Sequence, residues 1–278
     1  MEPSLCLFAA YFQDGNLPAY IRHNLLCLKR QYSKVALLLP NAIVLKVDAL
    51  RFLEANHILC QPQENRGWDF GLWFRSLQSI DLSAFGSLVL MNDSGLVVHG
   101  LTDFQQWFQA HSAVVAGLTD SEEIGWHLQS YFLAIKKAAF PALEIFMQRN
   151  ALFSDDYSET VHRFEIGLSA FLKNQGLELA AYIPYNSLNH GPQEKGNPSL
   201  LHADQLIQRA CPILKRRLLL GNLKASELRY LIKHKAYQSP SKYIDLMAAE
   251  QLQFVKDIKA LSIKARFSLP YLKHYLKV

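Results

Sequence analysis

The nine residues S-L-V-L-M-N-D-S-G at positions 87–95 constrain the fold of this chain more than any other stretch. Leu88, Val89, Leu90 and Met91 are apolar in succession, and the run ends abruptly in Asn92, Asp93, Ser94 and Gly95. A strand that alternates apolar and polar residues has one wet face. A continuous apolar run is instead buried on both faces, as in parallel sheets covered by helices. Open α/β sheets bind their ligands beyond the carboxyl ends of the strands, which is where Asn92, Asp93 and Ser94 would stand. A carboxylate there suits a hard cation such as Mg²⁺ or Mn²⁺. The same residues are also ordinary Asx-turn chemistry, so this stretch alone leaves turn and ligand site both open.

The flanking sequence repeats the pattern. Residues 5–12 (L-C-L-F-A-A-Y-F) read as a first buried strand, and a helix begins near Pro18 with Ile21, Leu25, Leu28 and Tyr32 on one side. Residues 35–39 form a second strand, Asp48 is placed to cap a short helix holding Leu50 and Leu53, and residues 57–60 form a third strand. Strands alternating with helices predict βαβ units and an α/β fold with a mainly parallel sheet.

Glu64-Asn65-Arg66-Gly67-Trp68-Asp69-Phe70-Gly71 then marks a strand-to-helix turn, with Trp73, Leu77 and Ile80 on the buried side of the helix. A helix start at a sheet edge offers free N–H groups and a positive dipole end to a diphosphate, and Asp69 can accept from a sugar hydroxyl. Equally, Trp68, Phe70 and Trp73 can be core aromatics and Asp69 a first-turn carboxylate.

Further on, Thr102 and Gln105 have capping-box spacing before a helix with Phe104, Trp107, Phe108 and His111 on one face. Residues 113–118 predict a strand, 119–123 a polar loop, and 127–137 a strand with a polar start. Residues 140–147 predict a short helix. Asp155 and Asp156 fall in a loop before a longer helix with Phe164, Leu168, Phe171 and Leu172 inward, Glu165 beside them and Gly176 past its end. Residues 179–183 predict the last strand, and the Gly/Pro/Asn-rich stretch 184–198 closes the sheet-bearing part.

Hydrophobic residues make up 50% of the 278 and charged residues 19%, which excludes a disordered chain. No apolar run approaches the ~18 residues of a membrane span, and Met1-Glu2-Pro3-Ser4 lacks the basic start of a signal peptide. Cys6, Cys27, Cys60 and Cys211 form no C-x-x-C pair, which speaks against a zinc site or disulfide framework and for a reducing cytoplasm. Charge is divided unevenly. Residues 1–203 hold 14 Lys/Arg against 19 Asp/Glu, a balance of −5, and residues 204–278 hold 15 against 5, a balance of +10. The expected division is therefore a sheet-bearing domain over 1–200 and a basic helical extension over 201–278, including Lys215-Arg216-Arg217 and Lys233-His234-Lys235. Such an end suits an anionic lipid surface or a solvated helical face; no recognition motif accompanies it that would indicate nucleic acid.

Five segments occur in an order that resembles one known family: N-R-G-W-D-F-G-L-W, L-V-L-M-N-D-S, H-L-Q-S-Y-F-L-A-I-K-K, R-F-E-I-G-L-S-A-F-L-K-N-Q-G and N-P-S-L-L-H. Together, over roughly residues 5 to 220, they look like the rhamnan synthesis F family of bacterial polysaccharide glycosyltransferases. The resemblance implies a GT-A-like (Rossmann-like) mixed sheet and a nucleotide-diphosphate sugar donor, with dTDP-rhamnose one choice. It also implies a saccharide or lipid-linked acceptor, in rhamnan, O-antigen or capsule assembly on the cytoplasmic side of the membrane.

On that likeness Asp93 falls at the last acid of the metal-binding D-x-D, with Met91 in place of the first. Glu165 falls at an acidic pair whose second member is Ile166. The resemblance then implies Glu165 as general base of an inverting transfer, and Tyr11, Asn65, Arg66, Gly67, Asp69, Asn92, Asp93 and Ser94 around the donor. His127 and Gln129 fall on the acceptor side, and Asp93 with His202 would hold Mg²⁺ or Mn²⁺. The missing acids at Met91 and Ile166 suggest an alternative, a catalytically degenerate scaffold in polysaccharide assembly. A nucleotidyltransferase is disfavoured, because Phe12-Gln13-Asp14-Gly15 supplies no Gly-rich basic phosphate loop.

Overall fold

A computed structural model describes residues 2–191 and 196–216. The first half runs β1 (Ser4–Ala9), α1 (Ala19–Gln31), β2 (Lys34–Pro40), α2 (Val47–Ala55), β3 (Leu59–Gln63), α3 (Trp68–Leu77), β4 (Ser87–Asn92), β5 (Gly95–Val97) and α4 (Thr102–Ala110). It continues with β6 (Val115–Ser121), β7 (His127–Leu128), β8 (Phe132–Lys136), α5 (Phe140–Arg149), α6 (Tyr157–Thr160), a π-helical segment (Val161–Ile166) and α7 (Gly167–Asn174). The last elements are β9 (Leu179–Ile183), α8 (Pro198–Leu201), α9 (Ala203–Gln208) and β10 (Ile213–Lys215).

The strands order as β3-β2-β1-β4-β8-β6, with β7 and β9 both on β6. β1 to β4 are mutually parallel, β8 is antiparallel to β4 and to β6, and β9 is parallel to β6. The expected mixed, mainly parallel sheet flanked by helices is therefore what the chain forms.

Side-chain parity explains the layers, because successive residues of a strand point to opposite faces. Cys6 and Phe8 of β1 and Val89 and Met91 of β4 join one core with Leu25 and Leu28 of α1 and Phe104 and Phe108 of α4. Leu5, Leu7, Leu88 and Leu90 join the other, with Phe70 and Trp73 of α3, Leu143 of α5, Phe164, and Leu168 of α7. The apolar run at 88–91 is buried throughout because it feeds both cores.

Several local expectations are corrected. β1 ends at Ala9 rather than residue 12, and β3 spans Leu59–Gln63 rather than 57–60. Asp48 lies inside α2, whose N-cap is Lys46, and its carboxylate pairs with Arg22 of α1. Thr102 and Gln105 form no capping box: the N-cap is Leu101, and Gln105 instead accepts a hydrogen bond from Gln31 of α1 at 2.9 Å. Residues 119–121, expected in a loop, are buried strand, because each polar side chain has partners. Thr119 Oγ1 donates to Gln129 Oε1 (2.6 Å), and Asp120 accepts from the Tyr185 N–H (2.6 Å) and Trp126 Nε1 (2.7 Å). Residues 127–137 are two strands, β7 and β8, rather than one. The helix expected to carry Glu165 is interrupted by the π-helical segment.

The start of the expected helical extension also behaves differently. After α9 the chain turns back as β10 and pairs antiparallel with β5, with Leu214 opposite Leu96. Leu206, Ile207, Cys211, Ile213 and Leu214 enter the first core. Lys233-His234-Lys235 lies outside the described residues.

Candidate functional site

Parity places the first site residue. Asn92 follows Leu88 and Leu90 onto the face covered by α3, and its Nδ2 donates to Asp69 Oδ2 at 2.6 Å. Its own Oδ1 accepts the Ser94 backbone N–H at 3.1 Å and the Ser94 hydroxyl, an Asx turn that ends the strand. Asp93 sits at the turn. Its Oδ2 accepts from the Tyr20 hydroxyl at 3.0 Å and the Tyr11 backbone N–H at 3.4 Å. Arg216 Nη1 donates to the Asp93 carbonyl oxygen at 2.8 Å and lies 3.4 Å from Oδ2. The guanidinium carbon stands 3.7 Å from the centre of the Tyr20 ring. The Arg216 backbone N–H extends the β5–β10 pairing by donating to the Ser94 carbonyl at 2.7 Å.

The turn before α3 supplies Asp69. Gly67 has φ +77°, and a Cβ there would meet Phe153 at 2.5 Å, so only glycine fits. Trp68 follows at φ +52°, a conformation that costs an L-residue free energy and needs support. Asp155 supplies it: its Oδ1 accepts the Gly67 N–H and its carbonyl accepts Trp68 Nε1, each at 3.1 Å. This bend sets Asp69 in the first turn of α3, beside Asn92. Asn65 and Arg66 are exposed on the approach.

Glu165 belongs to the π-helical segment, a wider helical turn that recurs at functional sites. Its Oε1 accepts the Ser130 backbone N–H at 2.7 Å, which ties it to the β7–β8 turn. Burial pushes the Asp69 carboxyl up to about 7, and the neighbouring charges of Asp93 and Glu165 push it the same way. Asp93 is also raised by burial, opposed by Arg216 and by the hydrogen bonds from Tyr20 and Tyr11. Asp69 thus stands within electrostatic reach of both Asp93 and Glu165 near the carboxyl end of β4.

The other residues expected to be functional stand differently. His127 is buried in β7 with Nδ1 2.7 Å from the Gly125 carbonyl oxygen. Gln129 is buried between Thr119 and Asn197, to which its Nε2 donates at 2.7 Å. Both side chains are buried and engaged by protein groups around β7. His202 is buried with its Nδ1 3.2 Å from Gln205 Nε2 and its ring near Tyr185.

The donor set at Asp93 does not fit a divalent cation. Met91 is fully buried in the first core, the carboxylate already faces a guanidinium, and its Oδ2 accepts two further hydrogen bonds. Among the described residues no group of three or more His, Cys, Asp or Glu is placed to hold a metal ion.

Sequence reasoning missed Tyr20, Asp155 and Arg216. Tyr20 reads as one more aromatic of an amphipathic helix, and Arg216 as one of three basic residues in a row. Arg216 is 123 residues from Asp93, so no spacing pattern could join them.

The profile of a family described as rhamnan synthesis protein F matches residues 47–265. The virulence protein VirA of Vibrio anguillarum is 25% identical over 195 residues, covering 67% of this chain and 62% of VirA; the chain therefore spans less than two thirds of that relative's length. Among solved structures, the glycosyltransferase GlyE of Streptococcus pneumoniae TIGR4 superposes with a TM-score of 0.40 at 11% identity, over 94% of this chain and 64% of GlyE. A 4-diphosphocytidyl-2C-methyl-D-erythritol synthase from Anaerococcus prevotii DSM 20548 gives 0.41 at 11% identity, over 68% of this chain and 92% of that one. At such scores the fold assignment rests on the sheet order itself.

Proposed function

From the premise that this chain belongs to the rhamnan synthesis protein F family, we propose that it is a glycosyltransferase. It would pass a sugar from a nucleotide-diphosphate donor to a saccharide acceptor in cell-surface polysaccharide assembly. The observation that carries this reading is the placement of three acids at the carboxyl end of the parallel strand β4, where such sheets bind nucleotides: Asn92 bonds Asp69, Asp93 follows Asn92, and Glu165 holds Ser130, next to the Tyr131 whose carbonyl accepts the Asn92 N–H.

In the proposed reaction an acceptor hydroxyl attacks the anomeric carbon as the bond to the diphosphate oxygen breaks. Glu165, held by Ser130, takes the hydroxyl proton. One base and one direct displacement invert the anomeric centre. Asp69 and Asn92, already bonded to each other, bind sugar or ribose hydroxyls, with Asn65, Arg66, Tyr11 and Ser94 at the rim of the donor. The donor sugar is rhamnose, carried on dTDP. The acceptor is lipid-linked, and the basic residues beyond 216 hold the protein against the anionic cytoplasmic face of the membrane. Among the described residues no helix is long and apolar enough to cross a membrane.

The test is transfer or slow donor hydrolysis by the purified chain with dTDP-rhamnose and other nucleotide sugars. Glu165→Gln, whose amide oxygen can still accept from Ser130, should lower the rate ~10²–10⁴-fold without changing the fold. Full activity in both Glu165→Gln and Asp69→Asn would refute the assigned roles. A second reading, a binding scaffold without catalysis, draws support from the burial of Met91 and from Ile166, which stand where related transferases carry acids. Absence of any calorimetric binding of nucleotide sugars would favour it.

A further inference from the structure

We propose that Arg216 does the work of a divalent cation in this site: its guanidinium holds the donor diphosphate and neutralises the charge that grows on it as the sugar leaves. This deepens the transferase reading above and rests on it.

A rigid construction delivers Arg216. β5 is locked to α1 by buried polar side chains: Asn24 Nδ2 donates to the Gly95 carbonyl at 2.8 Å, the Val97 N–H donates to Asn24 Oδ1 at 2.9 Å, and His23 Nε2 lies 2.7 Å from the Val97 carbonyl. β10 then packs on β5 so closely that a Cβ on Gly95 would meet Ile213 at 2.6 Å. The next residue after β10 is Arg216. A three-residue pairing held this firmly fixes where the chain emerges, and it emerges at Asp93.

The groups near the end of β4, Asp69, Asp93 and Glu165, are all acidic, and a nucleoside diphosphate is an anion. An arriving diphosphate therefore needs a fixed positive charge, and Arg216 is in place at 23% side-chain exposure, beside an Asp93 side chain at 20%. A guanidinium stays protonated, carries five N–H donors, and grips phosphate through two parallel bonds. Its contacts to Asp93 both run through Nη1, and its face rests on Tyr20. Asp93 is thereby a positioning residue for Arg216 rather than a metal ligand, consistent with the burial of Met91 two residues before it.

The bookkeeping of the step is complete without another reactant. The bond between the anomeric carbon and the diphosphate oxygen breaks, and its electron pair goes to that oxygen. The acceptor oxygen forms the new bond, its proton goes to Glu165, and Arg216 keeps its own protons throughout, meeting the added charge through N–H donors.

The experiment is calorimetric titration of the full chain with dTDP, UDP and GDP, and with the matching monophosphates, in EDTA and again in Mn²⁺. The wild type should bind at least one diphosphate equally well in both buffers. Arg216→Ala should weaken that diphosphate ~10–100-fold while its monophosphate binds as before, and Arg216→Lys should recover part of the loss. Unchanged monophosphate binding shows that the pocket is intact, which a merely structural role for Arg216 would not give. Should Arg216→Ala fail to fold, Arg216→Gln and Arg216→Lys carry the same comparison. Diphosphate binding that requires Mn²⁺, or that is equal in wild type and Arg216→Ala, overturns the proposal. Absence of nucleotide binding by the wild type in either buffer overturns the transferase reading itself.

Discussion

Replacing Asp69 by Asn should make the protein more stable at alkaline pH and leave it nearly unchanged at acid pH. Burial and the nearby charges of Asp93 and Glu165 raise the Asp69 carboxyl from its ordinary 3.8 to about 7. The folded chain therefore keeps this proton over a pH range in which the unfolded chain has lost it. Between those two values the unfolding free energy falls as pH rises, and above about 7 the loss is complete. Each pH unit of the gap is worth about 1.4 kcal/mol, an upper bound of about 4 kcal/mol. Asp69 is half-buried and water screens part of this, so about 2 kcal/mol is the working figure. Asn at this position removes the charge and can still accept from Asn92 through its amide oxygen. Urea unfolding of both proteins at pH 5 and pH 8 reads the difference. The variant should gain about 1 kcal/mol on the wild type between the two pH values, because more than a third of the gap lies below pH 5, or a few degrees in Tm. Parallel pH profiles for the two proteins, or a wild type that gains stability over the variant on going to pH 8, would refute the reasoning.

Gly67→Ala should cost about 2–4 kcal/mol, because the backbone is left-handed there and a methyl group would meet Phe153; thermal unfolding measures it. Asp155→Ala removes the acceptor for the Gly67 N–H and should cost about 1 kcal/mol in the same assay, with greater loss of donor binding than of stability. Asn24→Ala leaves the Gly95 carbonyl and the Val97 N–H without their partner and should cost about 2–4 kcal/mol by urea unfolding. Hydrogen exchange should show β5 and β10 opening before β1 and β4 in that variant.

Much of the sheet was legible because it depends on local patterns. The runs at 88–91 and 35–39 are buried strands in the structure as in the sequence, and the stripes Ile21/Leu25/Leu28 and Phe164/Leu168/Leu172 face the cores. The errors arose where partners distant in sequence override local chemistry. Thr119, Asp120 and Ser121 have the composition of a loop, and are strand only because Gln129, Trp126, Tyr185 and the backbone of residue 196 bind them. Thr102 and Gln105 have capping-box spacing, yet Gln105 is engaged by Gln31 across the helix interface. At the candidate site, Asn92 and Asp93 could be singled out from strand-end position and Asp69 from the glycine-bearing turn that opens α3. Arg216 could not: its role exists only because a three-residue strand returns to pair with β5. His127 and Gln129, which the sequence placed on the acceptor side, are buried and engaged by Gly125 and Asn197.

The most direct test is a crystal structure of the chain with the nucleoside diphosphate that binds it best. The two phosphates should lie against Arg216 at the carboxyl end of β4, with Asp69 and Asn92 at the sugar side and Glu165 facing the same space. Phosphates seated elsewhere on the molecule, out of reach of Arg216 and Asp69, would contradict the account.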